Sequence, residues 1–228
     1  LQVSQVFFSP GSRSTPLVLA FERHPKIECI PILDERSAAF LALGSSKRSN
    51  LPTLLLCTSG SAPTHWFPAI TEASHASIPL LLLSADRPPE LQDCGAGQTI
   101  DQVNLFGSFV RAFHQVPLPK VDHDSIVNLI NIVSLAHRQT IGTNPGPVHL
   151  NFPFREPLLA KKQSSNPKTP ELTIHLDAPP LPSLNDPETI SLAGKYKRPI
   201  LIAGEFLPSK ILSRWTSNCL LYTSPSPR

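Results

Sequence analysis

The 228-residue sequence has no methionine, no Cys-x-x-Cys pair and no Gly-x-Gly-x-x-Gly turn. With no initiator, and with Val3 to Phe8 already reading as the end of a strand, the expectation is that the N-terminus has been cut into. The four cysteines, Cys29, Cys57, Cys94 and Cys219, are far apart and read as reduced core or loop thiols, not as a metal or redox framework. Without the glycine fingerprint, a nicotinamide site is a remote expectation. Apolar runs such as Pro79 to Leu83 are far too short to span a bilayer. Aromatics make up only 7% of the chain and the net charge of +3 is dispersed. There is neither a basic stripe nor a stacking platform, which argues against nucleic acid as a partner. His24, His65, His75 and His114 show no ligand spacing and read as surface or packing residues.

What the chain does have is a regular alternation. Short, unalternating apolar runs at Val3 to Phe8, Ile27 to Ile32, Thr53 to Cys57, Ile78 to Ser84 and Val148 to Phe152 have the character of buried parallel strands, with a weaker strand from Phe109 to Val116. Helical segments are expected at Pro16 to Arg23, Glu35 to Ser46, Pro63 to Ser77 and Asp124 to Thr140; in the last, Ile126, Leu129, Ile130, Val133 and Ala136 fall near helical spacing. Strands alternating with helices imply an α/β domain, a mostly parallel sheet with helices on both faces.

Open parallel sheets bind ligands beyond the carboxyl ends of their strands, so the residues that follow each strand belong together. Ser12-Arg13-Ser14 follows the first, Asp34-Glu35-Arg36 the second, Thr58-Ser59-Gly60-Ser61 the third and Asp86-Arg87-Pro88-Pro89-Glu90 the fourth. In Phe8 to Pro16, Pro10 and Gly11 turn the chain, Ser14 or Thr15 can cap a helix that Pro16 opens, and Arg13 would join the free amides of that helix start as an anion site. Two arginines, a helix-start glutamate and a hydroxyl-glycine turn in one crevice suit a ligand with anionic groups and one site of proton transfer. Plainer roles are open to each: Asp34 and Glu35 as helix-start acids, Thr58 to Ser61 as a cap, Asp86-Arg87 as a loop ion pair, Gln98 as a partner of loop amides, and Arg13 as a solvated side chain.

Taken in order and spacing, Ser9-Pro-Gly-Ser-Arg-Ser-Thr-Pro16, Asp34-Glu35-Arg36, Thr58-Ser59-Gly60, Ala85-Asp86-Arg87-Pro-Pro-Glu-Leu91, Gly95-Ala96 with Gln98, and Asn151-Phe-Pro-Phe154 with Glu156-Pro157-Leu158 resemble one family. It is the 2-succinyl-5-enolpyruvyl-6-hydroxy-3-cyclohexene-1-carboxylate synthases, thiamine diphosphate enzymes of menaquinone and phylloquinone biosynthesis. The resemblance covers Val6 to Leu158. It implies that residues 1–156 are a pyrimidine-binding domain, with 157–190 a proline-rich linker and 191–218 the incomplete start of a second, central α/β domain. Residues 219–228, without helical or strand period, read as a non-native tail.

The resemblance also implies roles. Glu35 would hydrogen-bond the aminopyrimidine of thiamine diphosphate as the catalytic carboxyl, buried so that desolvation raises its pKa. Thr58, Ser59 and Gly60 would approach the cofactor. Ser12, Arg13, Arg87 and Gln98 would contact substrate. The substrates implied are 2-oxoglutarate, which loses CO2, and isochorismate, which accepts the remaining succinyl carbon. Mg2+ would be held by a later domain with a Gly-Asp-Gly motif, since no Gly-Asp dipeptide occurs here and no metal ligand is assigned to this chain. A homodimer or homotetramer in the cytoplasm is expected, or in a plastid for a photosynthetic eukaryote. One departure stands out: after the Thr-Ser-Gly turn, where the family has a small residue and then asparagine, this chain has Pro63-Thr64-His65-Trp66. Two alternatives remain open, a non-catalytic anion-binding module and another thiamine diphosphate-dependent decarboxylase or carboligase.

Overall fold

The computed structural model describes residues 3–159, together with the backbone of residues 201–203 and 221–223. In order the elements are β1 (Gln5–Phe8), α1 (Thr15–Glu22), β2 (Glu28–Pro31), α2 (Glu35–Ser49), β3 (Thr53–Cys57), α3 (Phe67–His75), β4 (Leu80–Asp86), β5 (Ala112–Gln115), α4 (His123–Ile141) and β6 (Val148–Pro153). The six strands form one sheet in the order β2-β1-β3-β4-β6-β5, and every neighbouring pair is parallel.

That order decides where the helices lie. Crossovers between parallel strands are right-handed, so a connection that moves one way across the sheet covers one face and a connection that moves the other way covers the opposite face. The steps β1 to β2 and β5 to β6 run one way; β2 to β3 and β3 to β4 run the other. Two apolar layers follow. On one face Phe7, Leu55, Leu80 and Leu82 pack with Ala38, Ala39 and Ala42 of α2 and with Ala69, Ile70 and Ala73 of α3. On the other, Val6, Leu54, Leu56, Leu81, Leu83 and Leu150 pack with Leu17, Val18 and Phe21 of α1 and with Ile132, Val133 and Ala136 of α4. Strands buried on both sides need no polar alternation, which is why these runs are apolar throughout.

Local chemistry sets the helix ends. Asp34 Oδ1 accepts the Ser37 amide at 2.7 Å and Asp122 Oδ1 the Ser125 amide at 2.8 Å, capping α2 and α4. Asn50 ends α2 in the left-handed region at φ 54°. The first loop departs from expectation, because neither Ser14 nor Thr15 caps α1. Residues Ser12–Ser14 form a 3-10 turn, and the Ser14 hydroxyl donates back to the Gly11 carbonyl at 2.9 Å. The segment expected as one helix from Pro63 to Ser77 is a 3-10 turn, Ala62–Trp66, followed by α3. Pro63 and Pro68 each lack an amide, so each is placed in an opening turn where no donor is needed.

The second unit of the chain, residues 180–228, contains β7 (Leu201–Ala203) and β8 (Leu221–Thr223), paired in parallel. β7 falls within residues 191–218, expected as the start of a second α/β domain. β8 lies inside the segment 219–228 that reads without strand period. The proposed linker and most of the proposed central domain lie outside the described residues.

Leu82 is fully buried in the middle of β4. Leu82→Ala is expected to cost about 2–5 kcal/mol in chemical denaturation of the chain; a loss below about 1 kcal/mol would contradict its place in the core.

Candidate functional site

The direction of the crossovers reverses between β1 and β3, so the chain leaving β1 turns to one face and the chain leaving β3 to the other. A crevice opens between them at the carboxyl edge. Its walls are close. A Cβ on Gly11 would overlap the Thr58 side chain, so the first loop rests directly on the turn that ends β3. Within that turn Gly60 has φ +80°, and a Cβ there would come within 2.7 Å of Gln98 Cγ. Only glycine takes this conformation in so little space.

The turn is tied down from several sides. Ser59 Oγ donates to the Gln98 carbonyl at 3.0 Å, and Gln98 Nε2 donates to the Ser59 carbonyl at 3.1 Å. Arg87 Nη1 donates to Ser59 Oγ at 3.0 Å and Nη2 to the Gly97 carbonyl at 3.0 Å. Arg87 therefore forks across the turn and the loop that covers it. Asp86 does not pair with that guanidinium: its Oδ1 accepts the Arg87 backbone amide at 2.7 Å, and its Oδ2 accepts from Asn151 Nδ2 at 2.7 Å. The loop ion pair left open by the sequence is replaced by a buried carboxylate with amide partners.

Arg13 is not solvated. It is only 7% exposed, donates from Nη1 to the Phe154 carbonyl at 3.0 Å, and pairs through Nη2 with Glu156 at 3.1 Å. Its Nε is buried without a partner among the described residues. Burial and then the charge of Arg13 push the Arg87 guanidinium below its usual pKa, with Glu156 and Asp86 pulling it back up. Two guanidiniums thus share a field that is electropositive enough for anionic groups.

Glu35 opens α2, but Asp34 carries the cap, so the Glu35 carboxylate is released from capping and makes no hydrogen bond among the described residues. It sits near the end of β3: burial, and secondly the Glu35 charge, raise the pKa of the Cys57 thiol well above its ordinary value. The carboxyl expected to be buried is half-buried in the chain by itself. Ser12 is exposed on the rim, and Thr58 and Ser59 are buried beneath. The structure therefore brings Arg13, Arg87, Gln98 and Thr58 to Gly60 around one crevice, with Glu35 at the end of β3. His65, in the 3-10 turn after Ser61, makes no hydrogen bond among the described residues.

Sequence reasoning missed a second layer. Ser84, Asp86, Gln102, His149 and Asn151 are all buried polar residues below the crevice. Ser84 Oγ donates to Asn151 Oδ1 at 2.7 Å and lies 2.7 Å from His149 Nε2, so it accepts from that nitrogen, which fixes the neutral Nε2–H tautomer. The signal was present: polar residues inside uninterrupted apolar strands must find partners.

A parallel sheet with an electropositive crevice at its switch point, floored by a hydroxyl-glycine turn and flanked by an uncommitted helix-start carboxylate, is the build of a cofactor-binding α/β module. Residues 1–105 match the family described as thiamine pyrophosphate enzyme, N-terminal TPP binding domain, and the chain belongs to the thiamine pyrophosphate enzymes. Within them it is homologous to 2-succinyl-5-enolpyruvyl-6-hydroxy-3-cyclohexene-1-carboxylate synthases. That of Trichodesmium erythraeum is 44% identical over 225 residues, covering 96% of this chain and 34% of the relative. The Dechloromonas aromatica synthase is 45% identical over 209 residues, 91% of this chain and 38% of the relative. The Haloarcula marismortui synthase is 51% identical over 156 residues, 68% of this chain and 26% of the relative. The chain thus spans about a third of the length of the curated relatives it matches.

His149 has its pKa lowered from 6.5 to about 3 by burial. Below about pH 6.5 the unfolded chain takes up a proton at this residue that the folded chain refuses, so stability is expected to fall as pH drops from 6.5 toward 3. The check is the urea midpoint of the chain at pH 7 and pH 4.5. His149→Gln is expected to lower stability at pH 7 and to flatten the acid slope; an unchanged slope would refute the assignment.

Proposed function

We propose that this chain serves as the cofactor-binding first third of an enzyme that decarboxylates 2-oxoglutarate and adds the succinyl carbon to isochorismate. The observation that carries this reading is the Arg87 fork across Ser59 and Gly97 above the Thr58–Gly60 turn, with the buried Arg13 near enough to feel its charge, and the names of the relatives support it. Both substrates are dicarboxylates, and planar, permanently charged forks suit them better than lysine would.

The residues fit thiamine diphosphate. Glu35 has no hydrogen-bond partner among the described residues, and Gly60 holds the crevice floor in a backbone conformation with no space for a Cβ. Glu35 would hold and move a proton at a ring nitrogen of the aminopyrimidine through its carboxyl oxygen. Thr58, Ser59 and Gly60 would support the ring. Ser12, Arg13, Arg87 and Gln98 would orient the substrate carboxylates, Gln98 with its carbonyl end, since its amide nitrogen is committed to Ser59. When bound, the cofactor supplies the electron sink for the carbon that loses CO2. Mg2+ would be held by another part of the enzyme, as the resemblance implies.

The partner we propose is a second copy, as a homodimer or homotetramer. Leu33, two residues before Glu35, is 88% exposed, and Phe40 and Leu41 are also exposed further along α2, an apolar surface that a partner would cover. Covering it would complete the burial of that carboxyl, which the single chain leaves half done. The three described cysteines are unpaired, which suits a reducing compartment, the cytoplasm or a plastid in a photosynthetic eukaryote; no described helix is long and apolar enough to cross a membrane.

The test is CO2 release from 2-oxoglutarate, dependent on isochorismate and thiamine diphosphate, by the full-length enzyme. Glu35→Gln is expected to lower kcat roughly 10²- to 10⁴-fold. Arg87→Lys, which cannot span Ser59 and Gly97 together, is expected to lower kcat/KM for substrate on the order of 10- to 100-fold. Unchanged steady-state constants for Arg87→Lys would remove it from the substrate site, and CO2 release by the 228-residue chain alone would overturn the assignment to a larger assembly.

A further inference from the structure

Gln102 lies in the loop after the 3-10 turn Pro89–Leu91, three residues past the Gly97-Gln98-Thr99 stretch that covers the crevice, and it is only 1% exposed. Its Oε1 accepts the Gly60 amide at 2.9 Å, and its Nε2 donates both to the Ala85 carbonyl at 3.1 Å and to Asn151 Oδ1 at 2.8 Å. One side chain therefore fastens three separate pieces of backbone: the turn after β3, the end of β4 and, through Asn151, the end of β6.

The anchor itself cannot shift. Asn151 is fully buried, and its Nδ2 donates to Asp86 Oδ2 at 2.7 Å and to Gln115 Oε1 at 3.0 Å, while its Oδ1 also receives Ser84 Oγ at 2.7 Å. The directions of these bonds are forced. Asp86 accepts only, so Asn151 must turn its nitrogen toward it and its oxygen toward Gln102; Gln102 must then present nitrogen to Asn151 and oxygen to Gly60. The Gly60 amide thus receives an acceptor whose orientation is dictated, through two side chains, by the Asp86 carboxylate.

We propose that Gln102 is a positioning residue for the cofactor: it sets the height of the Thr58–Gly60 turn, and hence the fit of thiamine diphosphate, without touching cofactor or substrate. This deepens the reading under Proposed function and rests on it. Gly60 is the point where such control matters, because its φ of +80° is open to glycine alone in a place where no Cβ fits beside Gln98, and glycine without a tether on its amide is free to leave that conformation. Ser59 is clamped by Gln98 and Arg87, which are themselves assigned to ligand binding and move when a ligand moves them. Gln102 is the clamp on the turn whose side chain is committed wholly to bonds within the protein.

The experiment compares Gln102→Met with Ser84→Ala in the full-length enzyme. Gln102→Met keeps the volume and removes all three bonds; Ser84→Ala cuts the bonds to Asn151 and His149 and leaves those of Gln102 in place. Both are expected to lower Tm. Titration with thiamine diphosphate and Mg2+, followed by intrinsic fluorescence, is expected to show Kd raised roughly tenfold or more for Gln102→Met and within twofold of wild type for Ser84→Ala. Exchange of the cofactor's C2 proton, followed by NMR at saturating cofactor, is expected to slow in Gln102→Met alone, while KM for 2-oxoglutarate stays within twofold. An unchanged Kd and exchange rate in Gln102→Met would overturn the inference, as would equal losses in both variants, which would mark the network as structural only. If the wild-type enzyme binds no thiamine diphosphate, the functional reading fails and this inference falls with it, an outcome distinct from a defect confined to the variant.

Discussion

The handedness of the crossovers is the constraint on which the rest of the molecule depends. A single rule, that parallel strands connect by right-handed turns, converts the strand order β2-β1-β3-β4-β6-β5 into two helical layers and one reversal of direction between β1 and β3. The reversal parts the two loops that leave those strands, and the parting is the crevice. Nothing about the ligand is needed to produce it. The ligand chemistry comes from four short loops that the topology delivers to one edge.

Beneath that edge the sheet breaks its own pattern. Leu80 to Leu83 are apolar without interruption, and then β4 continues through Ser84, Ala85 and Asp86. β6 likewise carries His149 and Asn151 among apolar neighbours. In a layer covered on both faces, each of these would cost free energy if left unpaired. Together they satisfy one another, apart from the His149 Nδ1 atom, which has no partner among the described residues. The two halves of a strand thus have different tasks: the first half binds the helices by burial, and the second half holds the loops in register by directional bonds.

Much of this was legible in the residues. Thr53 to Cys57 was delimited to the residue, and Glu35 marked the start of α2, because apolar runs and helix-start acids are local properties; the ends at Asn50 and Asp122 were not read. The gathering of Arg13, Arg87, Thr58 and Gln98 was legible from strand alternation plus the known edge of parallel sheets. What could not be read were pairings that depend on which strands become neighbours. Asn151 meets Asp86 only because β6 inserts between β4 and β5, out of sequence order. Arg13 meets Phe154 and Glu156 across some 140 residues for the same reason. The failed cap at Ser14 has a different origin: the hydroxyl found a nearer acceptor in the Gly11 carbonyl.

The contact between Gly11 and Thr58 has a consequence for how such a sequence can drift. A methyl group added to the first residue would land inside the second, so neither position has a free neighbour to make way. A larger residue at 11 is tolerable only with a smaller one at 58, and the small residue would surrender a wall of the crevice. The side chain admitted at either position is therefore set by the one at the other.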